Sequence, residues 1–349
     1  MEAIFAAAGG EAALRKTSVP TIRDHFILIK VKAIALNPTD FKQIDNGYAV
    51  GAKVGCDYSG VVEQLGNYVT KFKPGDRVAG FAHGCNEVDP DTGAFAEYII
   101  AKAAVQLHVP DHISFQDAAT FGVGTMTVGL GLYMSLGLPM PAPNPSGGKG
   151  AVLIYGGSTA TGMYGIQYAK ASGLTVITTA SPHNFDLLKS LGADAVFDYR
   201  SDTCIADIQA YTGGELYHSW DCTGDGIEIC AKAMAQSSKS IYGTIIPNTD
   251  EASFKSLNPQ ADGPRLVIGY DGLGSAYKFV GVPRPYKQSV FEFATSFSET
   301  AEELLRAGVI RPIPIAVDST GKGLEGAVIG LDKLRKGQVS GRKLVYMVE

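Results

Sequence analysis

The stretch "AVLIYGGSTATGMYGIQYAKASGLTVITTA" (residues 151–180) constrains the fold more than any other. Its apolar run "AVLIYGG" is followed by a helix-period segment, "GMYGIQYAKASG", and then by a second apolar run, "LTVITTA". Two short buried strands flanking one helix cannot lie antiparallel, because the helix returns the chain to the same end of the sheet. "HNFDLLKSLGA" and "DAVFDYR" repeat the helix–strand unit, and "SIYGTIIPN" adds a further strand. This spacing predicts a parallel, doubly wound sheet.

A doubly wound sheet binds a dinucleotide where its first strand turns into its first helix. Backbone N–H groups and the helix N-terminus must meet the pyrophosphate there. The turn reads "YGGSTATG" (Tyr155 to Gly162). Gly157 and Gly162 hold the outer positions of the usual glycine pattern, while Thr159 replaces the middle glycine. Ser158, Ala160 and Thr161 complete the turn, whose hydroxyls add donors for phosphate. The alternative is a plain strand–helix turn with polar caps.

The end of the second strand separates the two nicotinamide cofactors. An acid about 20 residues after the glycines binds the ribose 2′-hydroxyl of NAD. Here the segment is "TTASPHN" (Thr178 to Asn184), with no acid. Ser181, His183 and Asn184, around Pro182, with Tyr199 and Arg200 from the next strand end, offer donors to a 2′-phosphate instead. The expectation is NADPH. His183 and Asn184 serve equally as a helix cap.

The first ~120 residues have a different character, many short strands with glycine and proline punctuation, which predicts a barrel-like or sandwich-like unit. "FILIKVKAIALN", "YSGVVEQLG", "GDRVAGF" and "GAFAEYIIA" read as strands, and "FKPGDRV" places a turn at Pro74–Asp76. A helical stretch opens at Ser114 with Asp117 as capping partner, and "PMPAPNPSGGKG" (Pro139 to Gly150) reads as a surface connector. The chain end, from "SETAEELLRAGVI" through "GRKLVYMVE", returns to helix and strand. The expected layout is residues 1–124 with 286–349 as a β-rich unit, and 125–285 as the nucleotide unit.

A net charge of −5, with no Lys/Arg cluster, leaves no reason for a nucleic-acid partner. No apolar run approaches the roughly 20 residues of a membrane span. Glu2 and the early charges argue against a signal peptide, so a cytoplasmic location is expected. The five cysteines form no C-x-x-C pair and no disulfide framework.

The motifs "NPTDFK", "GCDYSG", "FKPGDRV", "GAFAEY", "YGGSTATG", "SPHNFDLLKSLGADAVFDYR" and "GQVSGRKLV" together resemble the zinc-free, quinone-oxidoreductase-like branch of the medium-chain dehydrogenase/reductase (MDR) family. "GGSTATG" and "SPHNFDL" are similar to a narrower group, the fungal trans-acting enoyl reductases of polyketide biosynthesis. The resemblance implies an α/β chain with a GroES-like catalytic domain and a Rossmann domain. It also implies an NADPH-dependent enzyme reducing an α,β-unsaturated thioester carried by a polyketide synthase.

Zinc members of the wider family carry Gly-His-Glu-x-x-Gly where this chain has Gly55, Cys56, Asp57 and Gly60. Catalytic zinc needs three protein ligands. "NPTDFK" has no Cys, and the region just after "GDRV", where a structural zinc lobe needs four closely spaced cysteines, supplies only Cys85, so no metal is expected. By the same resemblance, Thr39, Asp40, Phe41, Lys42, Ser158–Thr161, Ser181–Asn184, Tyr199, Ile245, Ile246, Ser340 and Gly341 match positions lining the NADPH cleft. Lys42 and Thr127 match active-site positions, and Tyr48 matches a proton donor of mitochondrial-type enoyl reductases. Proton return from Tyr48, Lys42 or solvent stays open, as do a surface lysine and a packing tyrosine.

Two other functions share most of these motifs, a stand-alone NADPH quinone or enone reductase and a non-catalytic nucleotide-binding partner. A monomer is expected, with a homodimer as alternative, because the polar segment "NTDEASFKSLNPQADGP" (residues 248–264) could block a sheet edge.

Overall fold

The computed structural model describes residues 1–145, 147, 150–247 and 249–348. Ser146, Gly148 and Lys149 of the expected connector, and Asn248, lie outside the described residues. The chain forms two compact units. One comprises Met1–Met126, Gly269–Glu302 and Pro312–Glu349, and the other Thr127–Ile268 with Glu303–Arg311.

The first unit is built on strand Phe26–Ala35, the longest in the chain. Its inward residues, among them Ile27, Ile29, Val31 and Ile34, are buried completely. Three strands pair with it antiparallel: Asp57–Leu65, Tyr98–Lys102 and the C-terminal Lys343–Met347. Arg77–Phe81 and Leu107–His108 extend one side of the sheet, and Ile315–Val317 closes the other. One strand thus holds two later segments of the first third of the chain and its last strand together.

Gly55 and Gly60, the frame of the worn metal motif, have plain structural causes. Gly55 has φ +101°, and a Cβ there would stand 2.1 Å from the Phe95 ring. At Gly60 a Cβ would stand 2.3 Å from the Lys30 carbonyl oxygen across the strand pair. Either side chain would force backbone or a buried ring to move.

The second unit contains a six-stranded parallel sheet. In space its strands run Ala195–Phe197, Thr175–Thr179, Ala151–Tyr155, Leu216–Asp221, Ile241–Thr244, Asp262–Leu266. Numbered along the chain this order is 3-2-1-4-5-6, the doubly wound arrangement with its reversal between the first and fourth strands. Trp220, wholly buried on the fourth strand, fixes how closely the helices approach it. A Cβ at Gly131 would stand 2.7 Å from the indole, and one at Gly165 2.9 Å from it. Gln167 ties in a distant segment. Its side-chain amide donates to the Arg311 carbonyl (3.1 Å) and its carbonyl accepts the Arg311 N–H (2.8 Å).

Three expectations differ from the structure. The boundary at residue 285 gives way to one at 268–269, because Tyr270 stacks on His83 of the β-rich unit, ring centroids 4.1 Å apart. The polar segment 248–264 is not an insertion covering the sheet edge. It supplies helix Glu251–Leu257 and the start of the edge strand Asp262–Leu266 itself. The single helical stretch after Ser114 is broken into Phe115–Ala118, Phe121–Val128 and a π-helical Gly129–Ser135, whose Gly131 meets Trp220.

Gly165→Val inserts a β-branched side chain against the Trp220 ring. We expect the variant to lose about 1–3 kcal/mol, the usual cost of overpacking. Urea unfolding followed by the fluorescence of the single Trp checks it.

Candidate active site

Helix Pro38–Asp45 carries the first group of expected site residues. It begins at Asn37, whose backbone N–H donates to Asp40 Oδ2 at 2.7 Å. Proline at the first helical position needs no partner for its missing N–H, so the start is sharply set. Thr39 and Phe41 are half-buried and Lys42 is exposed. Lys42 forms no ion pair among the described residues. Asp40 points inward, 1% exposed, and its Oδ1 has no hydrogen-bond partner. Burial, the largest effect, pushes its carboxyl up to about 7, against the opposing Asn37 N–H. Expected at a cofactor surface, Asp40 is instead a buried cap.

Around this helix the buried polar groups form one connected set. Lys343 Nζ donates to Asn37 Oδ1 (2.7 Å) and to Asp57 Oδ2, with both members of the ion pair almost wholly buried. Asn37 Nδ2 reaches the same Asp57 oxygen at 2.9 Å, and the Val123 N–H reaches Asp57 Oδ1 at 2.6 Å. Burial raises the Asp57 pKa, and the Lys343 ammonium is the largest effect opposing it. Removing one partner would strand a charge in the core.

Tyr270 adjoins this set. Its hydroxyl lies 3.0 Å from Thr39 Oγ1 and 3.3 Å from Cys56 Sγ. Burial holds the Cys56 thiol far above its ordinary pKa, so it is not a thiolate nucleophile. Among the described residues no group of three or more His, Cys, Asp or Glu side chains could hold a metal. Tyr48 is 55% exposed and lies against the hairpin at Gly281, where a Cβ would stand 2.7 Å from its ring. Gly341 is buried with φ +63°, and Ser340 beside it is exposed.

In the other unit the turn after the first strand is built for close approach. Gly156 takes φ +81°, which the sequence reading had not singled out although the doubled glycine carried the signal. A Cβ on Gly157 would stand 2.0 Å from Thr178 Oγ1, and one on Gly162 2.4 Å from the Gly156 carbonyl oxygen. Thr159 caps helix Ala160–Ala171, its Oγ1 accepting the Gly162 N–H at 3.0 Å. The N–H groups of Ala160 and Thr161 in the first turn have no helical acceptor and are available to an anion. Gly157, Ser158 and Thr159–Thr161 thus lie at the reversal point of the sheet.

Ser181–Asn184 follow the end of the second strand as a short 3-10 turn, and Tyr199 follows the third. Ile245 and Ile246 follow the fifth, with Ile246 against Gly224. These residues therefore gather at the carboxyl ends of the parallel strands, the edge where such sheets take ligands. Arg200, which follows Tyr199, forms an exposed ion pair with Asp198 at 3.1 Å. Thr127 is buried near the end of helix Phe121–Val128.

The β-rich unit and the 3-2-1-4-5-6 nucleotide sheet define a medium-chain dehydrogenase/reductase. The alcohol dehydrogenase GroES-like domain matches residues 23–111, and the zinc-binding dehydrogenase domain matches residues 160–258. The chain is 42% identical to the trans-enoyl reductase ACTTS2 of Alternaria alternata, over 97% of this chain and 96% of that one. It is 41% identical to the trans-enoyl reductase resD of Aspergillus sclerotiorum over the full length of both. An alcohol dehydrogenase superfamily protein from Novosphingobium aromaticivorans superposes with TM-score 0.81 at 21% identity, covering 100% of this chain and 99% of that one. The chain belongs to the trans-enoyl reductases, a family of oxidoreductase enzymes.

Asp40 gives a pH signature. Its folded pKa, about 7, lies above the ordinary carboxylate value, so the neutral acid is the form that folding favours. Its contribution to stability is complete below about 4 and is lost as pH rises through about 7. Asp40→Asn is neutral at every pH. Chemical denaturation between these limits should therefore show wild type losing stability relative to the variant as pH rises. A parallel pair of curves would contradict the burial argument.

Proposed function

We propose that the chain is a trans-acting enoyl reductase that uses NADPH on an α,β-unsaturated thioester presented by a polyketide synthase. The observation that carries this reading is full-length identity above 40% to proteins named trans-enoyl reductases. The turn residues fit a dinucleotide, since Gly157 and Gly162 let the turn pack closely on Thr178 and on itself, and the first-turn N–H groups, without helical acceptors, suit a phosphate. The absence of an acid at the end of strand Thr175–Thr179 supports a 2′-phosphate over a bare ribose, with Ser181, His183, Asn184 and Tyr199 as its partners.

Bound NADPH supplies hydride to the β-carbon. The chain's own task is to hold the thioester oxygen while negative charge gathers on it. Lys42, an exposed cation with no carboxylate partner among the described residues, is suited to that role, and Thr127 supplies a hydroxyl. Proton return to the α-carbon falls to Tyr48, Lys42 or solvent, and Tyr48 is exposed enough to exchange its proton with water. Purified, chelator-treated protein should oxidise NADPH when offered an enoyl thioester of pantetheine, and not when offered a simple quinone. Quinone turnover with an inert thioester would reassign the chain to stand-alone reduction. Binding of NADPH without turnover of either acceptor would make it a nucleotide-binding partner protein.

Ser181→Asp tests the cofactor assignment. An added carboxylate beside a 2′-phosphate should weaken NADPH by about tenfold or more while NADH is spared. Fluorescence titration of both cofactors reads this without turnover. The proposed assembly is a monomer, because edge strand Asp262–Leu266 carries Pro264, which cannot donate to a neighbouring strand. Sedimentation equilibrium giving a single 36.8 kDa species is the expected result, and a stable dimer would overturn it.

A further inference from the structure

The β-rich unit contains a cavity of about 470 Å³ that none of the motif residues predicted. This volume lies within the range of small-ligand sites, ~300–1,000 Å³. All of its lining residues belong to that one unit. Phe26, Phe81, Ile100 and Leu273 give it apolar walls, and Tyr270 forms part of its boundary. Tyr270 is the residue whose hydroxyl bonds Thr39 on the helix that also carries Lys42.

Most polar groups in the wall are already engaged. Gln106 donates to the carbonyls of Phe81 (3.3 Å) and Lys102 (3.0 Å) and accepts the Tyr58 hydroxyl (2.8 Å). Thr92 donates to the carbonyls of His83 and Asp89, each at 2.9 Å, and Asn86 accepts two backbone N–H groups. Arg23 is neutralised by Asp89 in a two-pronged pair. Such groups make a polar wall that asks nothing of a ligand.

Two side chains keep capacity. Lys102 donates to the Gly274 carbonyl and to Ser275 Oγ (3.0 Å), which leaves its third proton unassigned, and it has no carboxylate partner among the described residues. Half-burial lowers its pKa, the sign of a cation with too little solvation. His83 is 7% exposed, its ring stacked on Tyr270 at 4.1 Å and edge-on to Tyr277 at 5.0 Å. No hydrogen bond is made by its ring nitrogens among the described residues, and burial lowers its pKa to about 3, so it is a neutral imidazole with one N–H to give.

We propose that this cavity is the acyl-chain subsite, taking an extended acyl chain with its reactive end toward Tyr270 and a carbonyl or hydroxyl oxygen at His83 or Lys102. The apolar walls hold the methylenes, and the two unassigned donors select a chain bearing oxygen over a plain hydrocarbon. The assignment rests on the enoyl-reductase reading and adds to it the kind of chain the enzyme selects.

Ala276 lies at the exposed rim of the cavity, where a large side chain can fill the opening without entering the core. Ala276→Trp should lower the ratio of kcat/KM for a decenoyl thioester over a crotonyl thioester by about tenfold or more. Calorimetry without cofactor, using decanoyl pantetheine and its hydroxydecanoyl analogue, gives an independent reading. Wild type should bind the hydroxylated chain more tightly, the double variant His83→Phe/Lys102→Met should erase that preference, and Ala276→Trp should weaken both ligands. If wild type binds neither ligand, or if Ala276→Trp leaves both the ratio and the affinities unchanged, the cavity is not the acyl site. If wild type reduces no enoyl thioester yet binds these ligands in a way Ala276→Trp abolishes, the enoyl-reductase reading fails while the cavity keeps its assignment to acyl chains.

Discussion

The buried pair between Lys343 and Asp57 is the interaction on which the first unit turns. It sits where four pieces of chain meet: the last strand, the strand after Cys56, the cap of helix Pro38–Asp45 and the start of helix Phe121–Val128. A charge pair taken out of water gains little net stability unless its remaining hydrogen-bonding capacity is filled. Here Asn37 and the Val123 N–H fill it. What the pair enforces is register. Val345 must lie beside Ala35 and Asp57 beside Phe81 for these groups to meet. The helix bearing Thr39, Phe41 and Lys42 is oriented as a by-product.

The two units reveal different amounts to a reader of the sequence. In the nucleotide sheet the signal is local. Apolar runs of five residues, helix-period segments and glycine turns recur in order, and the resulting strands fall where the pattern placed them. The Gly157–Thr161 turn is legible for the same reason, because a phosphate site at a helix start is specified by its adjacent residues. The β-rich unit depends on contacts between residues far apart in the chain. Lys343 and Asp57 lie 286 positions apart, and Tyr270 and Thr39 lie 231 apart. Both members of the ion pair stood within conspicuous motifs, "GCDYSG" and "GRKLV", yet nothing in either motif names the other.

The same distinction explains the boundary shift at residues 269–285. Composition marks that stretch as irregular and gives it no allegiance. Ring stacking of Tyr270 on His83 and its hydroxyl contacts decide the matter, and these are visible only in three dimensions. Cys56 stands in the frame of a metal motif that lacks the partner ligands, and its thiol, sharing a hydrogen bond with Tyr270, is a small buried side chain. The cavity walled by Phe26, Phe81, Ile100, Tyr270 and Leu273 draws on four separated segments, which is why no motif announced it.

The position of strand Lys343–Met347 has a consequence for how the chain matures. On the ribosome the nucleotide unit emerges with its parallel strands complete while the β-rich unit still waits for its last strand. Until Lys343 arrives, Asp57 has no countercharge and the inner end of strand Phe26–Ala35 keeps unpaired backbone groups at Ala33–Ala35. A strand made early is therefore among the last to be locked. Vectorial synthesis thus lets the nucleotide unit settle first, and the β-rich unit closes only once strand Lys343–Met347 has emerged.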